Sequence, residues 1–175
     1  MPSDSLKVNF SFKLKLGSPE FNGVGYDESI YRIVDWLPNF PTQDSTGFHN
    51  YPITFYRDVH TSLNNYDISL ELPADMMVAT NTELIDQKEI ATIDSLGKIL
   101  LAKMPKSSEI KTLHFQHFGS NLQFFISRDF HVFNMKNGGH LFYSGNEPFL
   151  ALQVNEVNQQ IDKYFKTELG ITGFH

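Results

Sequence analysis

Residues 6–16 alternate without a break. Leu6, Val8, Phe10, Phe12, Leu14 and Leu16 are apolar, and Lys7, Asn9, Ser11, Lys13 and Lys15 separate them. Successive side chains of a strand point to opposite faces, so this pattern predicts one long strand with a buried and a wet face. A wet face requires an antiparallel or mixed sheet, because an all-parallel sheet is covered on both sides.

The rest of the chain predicts helices between further strands. Asp27 is placed to cap a helix over 28–37, where Ile30, Ile33, Val34 and Leu37 recur at helical spacing and Pro38 ends the element. Residues 38–50 read as a long loop. Strands are expected at 52–60 and 66–72, joined by a turn at Asn64-Asn65. Thr80 and Glu83 fit a capping box that opens a helix to about Lys103. Strands at 111–118, 122–135 and 140–144 complete the sheet. The middle one reads either as one strand or as two broken near Arg128-Asp129. Asn137-Gly138 is a type I′ hairpin signal before the last strand. Pro148 opens a final helix that Gly170 ends, and Leu150, Val154, Val157, Ile161, Tyr164 and Phe165 line its apolar face.

The predicted fold is therefore a single α+β domain over residues 1–175, in the order β-α-β-β-α-β-β-β-α with three helices. Its first six elements match the ferredoxin-like β-α-β-β-α-β order. That topology hosts many unrelated activities, so function has to be argued from residues.

Composition narrows the classes. Of the 175 residues 41% are hydrophobic, with sixteen Phe and no Cys. A core is affordable at this length without staples. The missing thiols exclude disulfides, iron–sulfur clusters and cysteine catalysis, and point to the cytoplasm. The net charge is −6 with only 14 Lys and Arg. That disfavours nucleic acid as a partner, since phosphate binding needs a dense basic patch; Lys7, Lys13 and Lys15 share one strand face but form no such patch alone. No apolar run approaches the roughly 18 residues of a membrane helix, so a soluble protein is expected.

Chemistry-bearing clusters are few. Asp58 and His60 lie two apart in a predicted strand, where the carboxylate would orient the imidazole as a general base. His60-Thr61-Ser62 resembles one His-x-Ser/Thr element of the two-histidine phosphoesterases. That family needs two such elements, and no other histidine here is followed in that way. Asp129 and His131 repeat the Asp-x-His spacing, and two such pairs on neighbouring strands would suit a divalent metal or a small hydrolase. Local charge pairing on strand edges explains both pairs more simply, and no cofactor is expected. His114 and His117 are three apart on a predicted strand, hence on opposite faces and unable to share an ion. Gly23-Val24-Gly25 lacks the rest of a nucleotide fingerprint and reads as a loop.

Tyr26, Trp36, Phe40, Phe48, Tyr51 and Tyr56 crowd the first long loop and its flanks. Aromatic side chains with few charges are the composition of interface cores. The leading expectation is thus a non-enzymatic protein-binding subunit, either part of a multi-protein assembly or a small inhibitor-like partner. A His/Asp-dependent hydrolase such as a phosphoesterase is the alternative. The sequence leaves the oligomeric state open.

Overall fold

The computed structural model describes residues 9, 11, 13, 15–18, 24–27, 29–35, 42–44, 46–49, 63–136, 138–168 and 170. Within them the class is α+β. In chain order the strands are β1 (Gly25–Asp27), β2 (Ile30–Val34), β3 (Thr42–Asp44), β4 (Gly47–His49), β5 (Asn64–Pro73), β6 (Met77–Thr80) and β7 (Glu83–Leu84). After helix α1 (Gln87–Leu96) come β8 (Ile110–Gly119), β9 (Gln123–Ser127), β10 (Phe130–Asn134), β11 (His140–Ser144) and helix α2 (Pro148–Glu168).

Every strand pairing among the described residues is antiparallel. One sheet has the order β1-β2-β9-β6, a second β5-β8-β7, and β3-β4 and β10-β11 are hairpins. The first core fills the space between the two larger sheets. Leu72, Leu113 and Phe115 from one side meet Val78, Phe124 and Ile126 from the other, with the Phe115 and Phe124 rings edge to face at 5.4 Å. The opposite face of β6 carries Met77, which packs with Ile93 of α1 and with Phe130 and Val132 of β10. Alternation along β6 thus feeds two cores from one strand, Val78 to one and Met77 to the other.

The structure corrects several expectations. Among the described residues there are two helices, not three. Residues 30–34, expected as a helix capped by Asp27, form β2, and Asp27 ends β1. Ile30, Tyr31, Ile33 and Val34 are β-branched or aromatic, and β9 supplies a partner along the whole strand, Ile30↔Ser127 to Val34↔Gln123. A spacing of three between two isoleucines does not outweigh that pairing. Without this helix the ferredoxin-like order is not seen among the described elements. The predicted 38–50 loop contains the β3-β4 hairpin, with Gly47 at φ +127° in its second strand.

The second helix is shorter than expected. Thr80 ends β6 and its Oγ accepts the Thr82 N–H at 3.2 Å, a local turn instead of a capping box. Glu83 belongs to β7, which pairs with β8, and α1 begins only at Gln87. Asn64 and Asn65 lie inside β5 opposite Gly119 and Phe118 instead of forming a turn. Residues 122–135 form two strands, broken at Arg128 and Asp129. The final hairpin is wider than a type I′ turn. Asn134 pairs with His140, Met135 N–H donates to the Gly139 carbonyl and Gly138 N–H to the Met135 carbonyl, with Gly138 at φ +92°. That positive φ is what glycine is needed for.

Most of the predicted 6–16 strand lies outside the described residues. Asn9, Ser11, Lys13 and Lys15, which are described, are exposed and in no strand. The predicted 52–60 strand also lies outside them. The 66–72, 111–118 and 140–144 strands and the final helix fall where the pattern put them.

Candidate functional site

The sequence-derived candidates divide by position. Asp58, His60, Trp36, Phe40, Tyr51 and Tyr56 lie outside the described residues, as does the side chain of Phe48 in β4. Tyr26 in β1 is 42% exposed and its ring sits 4.5 Å from that of Tyr31. Asp129 is exposed, and its carboxylate accepts a hydrogen bond from Lys103 Nζ at 3.0 Å. His131 is buried, with Nδ1 3.1 Å from the Ala102 carbonyl and its ring against Tyr143. One member of this Asp-x-His pair thus serves a surface ion pair, and the other anchors the segment after α1 to β10. Among the described residues no group of three or more His, Asp or Glu side chains is arranged to hold a metal ion.

His114 and His117 take opposite faces of β8, as strand geometry requires. His117 stacks on Tyr66, its partner across the β5-β8 ladder. His114 faces outward, beside Ser69 on β5. Asp86, at the start of α1, turns its carboxylate toward β8 instead of capping its own helix. There it accepts the His114 backbone N–H at 2.5 Å and lies 3.3 Å from Nδ1. The backbone hydrogen bond from His114 holds the Asp86 carboxyl below the usual carboxylate range, assisted by the His114 side chain and opposed by partial burial. Ser69, His114 and Asp86 thus share a surface, but Ser69 and His114 share no hydrogen bond. An unactivated serine is a weak nucleophile, so this geometry does not generate one. Its effect is mechanical. Asp86, together with the Glu89–Lys111 ion pair at 2.5 Å, clamps the first turn of α1 to β8.

The second site is helix α2. The residues it buries are Ala151 and Asn155. Asn155 Oδ1 accepts the Lys136 N–H at 3.2 Å, and Asn158 Nδ2 donates to Met135 Sδ at 3.4 Å. The helix is therefore fastened by small and polar residues to the turn between β10 and β11. Apart from half-buried Phe165, the residues of its apolar face point away from the body. Leu150 is 57% exposed, Val157 52%, Ile161 45% and Tyr164 57%, and Val154 is exposed as well. Phe149 and Leu152 add exposed apolar surface at the first turns.

The exposed row has steps of four, three, four and three from Leu150 to Tyr164. This is the a/d spacing of a helix that packs on another helix, here with Val154 and Ile161 at a and Leu150, Val157 and Tyr164 at d. The flanking e and g positions are Ala151, Asn158 and Phe165, and Gln153, Gln160 and Thr167. None of the six is charged. The apolar face was legible in the sequence. Which side of the helix faced the body was not, because an apolar stripe seats a helix equally on its own core or on a partner.

No helix of the described residues is long and apolar enough to cross a membrane. No family model matches the chain, and neither a curated protein nor a solved structure is significantly similar to it.

Proposed function

We propose that this chain is a non-enzymatic protein-binding subunit, a component of a multi-protein assembly or a small inhibitor-like partner, acting in the cytoplasm. The reading rests on one observation: α2 buries Ala151 and Asn155 against the body and turns a row of apolar residues toward solvent. Single exposed apolar residues are ordinary, but a contiguous row along a whole helix is costly in water and marks an interaction surface. Asn155, Asn158, Val154 and Val157 are weak helix formers, and most helical stability comes from tertiary packing and not from propensity. A partner along the seam would supply the packing that the body does not. The cytoplasmic setting rests on the absence of cysteine.

The test is affinity capture from host lysate with the wild type, with a Leu150→Ser/Val157→Ser/Ile161→Ser variant, and with an Asp67→Ala/Gln116→Ala control on the polar face of β5-β8. A stoichiometric partner retained by wild type and control but lost from the seam variant, with circular dichroism unchanged, is the expected result. Identical capture by all three proteins would sink the reading.

A further inference from the structure

Building on that reading, we infer that the occupant of the α2 seam is a second copy of this chain, the two helices pairing as a short two-stranded coiled coil. Three observations on the helix point to this partner. The seam keeps a 3.5-residue period from Leu150 to Tyr164, the spacing at which one helix packs along another. The a positions, Val154 and Ile161, are both β-branched and the first d position is Leu150, as in two-stranded coiled coils, while Val157 and Tyr164 fill the other d positions.

The third observation is electrostatic. A homodimer sets each charge near its own copy, so charged e and g positions of one sign would repel. All six flanking positions are uncharged. The e positions turn toward the chain's own body, Ala151 fully and Asn158 and Phe165 partly buried, while Gln153, Gln160 and Thr167 stay exposed. The a/d row therefore remains open to a partner with no like-charge contact at its border. A heterologous partner is usually selected by complementary charges at those positions, and none is present for it to read.

Size sets the strength. Two such faces would bury on the order of 1,000 Å² in total, the lower edge of specific interfaces. A reversible dimer of roughly micromolar affinity or weaker is expected. A twofold pairing is isologous, so residues near the middle of the helix approach their own copies in either orientation. Val157 is that residue in α2.

The absence of cysteine makes the experiment clean. Single-cysteine variants Val157→Cys, Leu150→Cys and Lys166→Cys are treated with a short bismaleimide, alongside sedimentation velocity of the wild type over a dilution series. The expected result is a concentration-dependent wild-type dimer and efficient cross-linking at 157. Lys166, on the far side of the helix, should not cross-link, and Leu150→Cys should cross-link only if the helices are parallel. Val157→Asp should weaken the dimer by roughly tenfold or more with an unchanged circular dichroism spectrum, since it sets a charge in the seam. A wild type that stays monomeric to several hundred micromolar, with 157 no more reactive than 166, overturns the inference. If seam variants nevertheless lose a different protein in the lysate capture, the binding reading stands and only the second copy is wrong. If that capture is also unchanged, both fail.

Discussion

Replacing Gly97 with Ala should destabilise this protein, although helix propensity alone forecasts the opposite. Gly97 follows the last residue of α1 in ordinary right-handed helical backbone, φ −65° and ψ −9°. At such a site Ala is favoured over Gly by about 1 kcal/mol. The surroundings decide otherwise. A Cβ built on Gly97 would lie 1.9 Å from Asn134 Oδ1 and 2.5 Å from its Cγ. Asn134 holds the end of α1 against β10: its Nδ2 donates to the Asp94 carbonyl at 2.8 Å and its N–H to the Gly97 carbonyl at 3.3 Å. These carbonyls are among the groups that a helix C-terminus leaves without intrahelical partners. Displacing the Asn134 side chain leaves the Asp94 carbonyl poorly satisfied, at about 1–3 kcal/mol. Asn134 Oδ1 is buried with no hydrogen-bond partner, so moving it costs nothing further. Net of the propensity gain, Gly97→Ala is expected to cost about 0–2 kcal/mol. For a chain of this size that lowers Tm by up to roughly 8 °C. Urea denaturation with unchanged m measures it directly. In an Asn134→Ala background the clash is gone, and the same substitution should stabilise by about 0.5–1 kcal/mol. If Gly97→Ala stabilises the wild type, or acts equally in both backgrounds, the close approach is wrong.

Two further outcomes follow from the packing and the electrostatics. Phe115→Ala removes a 2% exposed ring from the centre of the first core and should cost about 3–5 kcal/mol in the same urea assay. Asp86→Asn should cost about 1 kcal/mol at neutral pH by replacing a charged acceptor for the His114 N–H with a neutral one. Because the folded-state pKa of Asp86 lies below its unfolded value of 3.8, its contribution is complete above that value and is lost as pH falls through the folded pKa. Wild type and Asp86→Asn should therefore converge in stability under acid, read by urea melts from pH 7 down to about 2. A gap that stays undiminished down to about pH 2 would refute the assignment.

The candidate site was legible only in part. The final helix and the opposed faces of His114 and His117 follow from period alone, and both are found. The Asp86–His114 clamp had no sequence signal, because its partners lie 28 residues apart and meet only when β8 pairs with β7. The role of Gly97 was hidden likewise, since it depends on Asn134 from another strand.

Strict alternation was the determinant wherever one face of a strand is buried and the other wet. Tyr66, Ile68, Leu70 and Leu72 point inward between Asp67, Ser69 and Glu71, and a slip of one residue would expose the whole set. That much of the α+β class resides in the chain's own period. Tertiary structure decided the ambiguous runs. Ile30–Val34 became strand because β9 offered a full ladder of partners, and Thr80 and Glu83–Leu84 were drawn into β6 and β7 by pairing with β9 and β8. It also decided which way α2 faces, with Ala151 and Asn155 inward and the heptad seam outward. Local preferences are worth tenths of a kcal/mol per residue, so shared backbone hydrogen bonds and burial with a distant strand outweigh them.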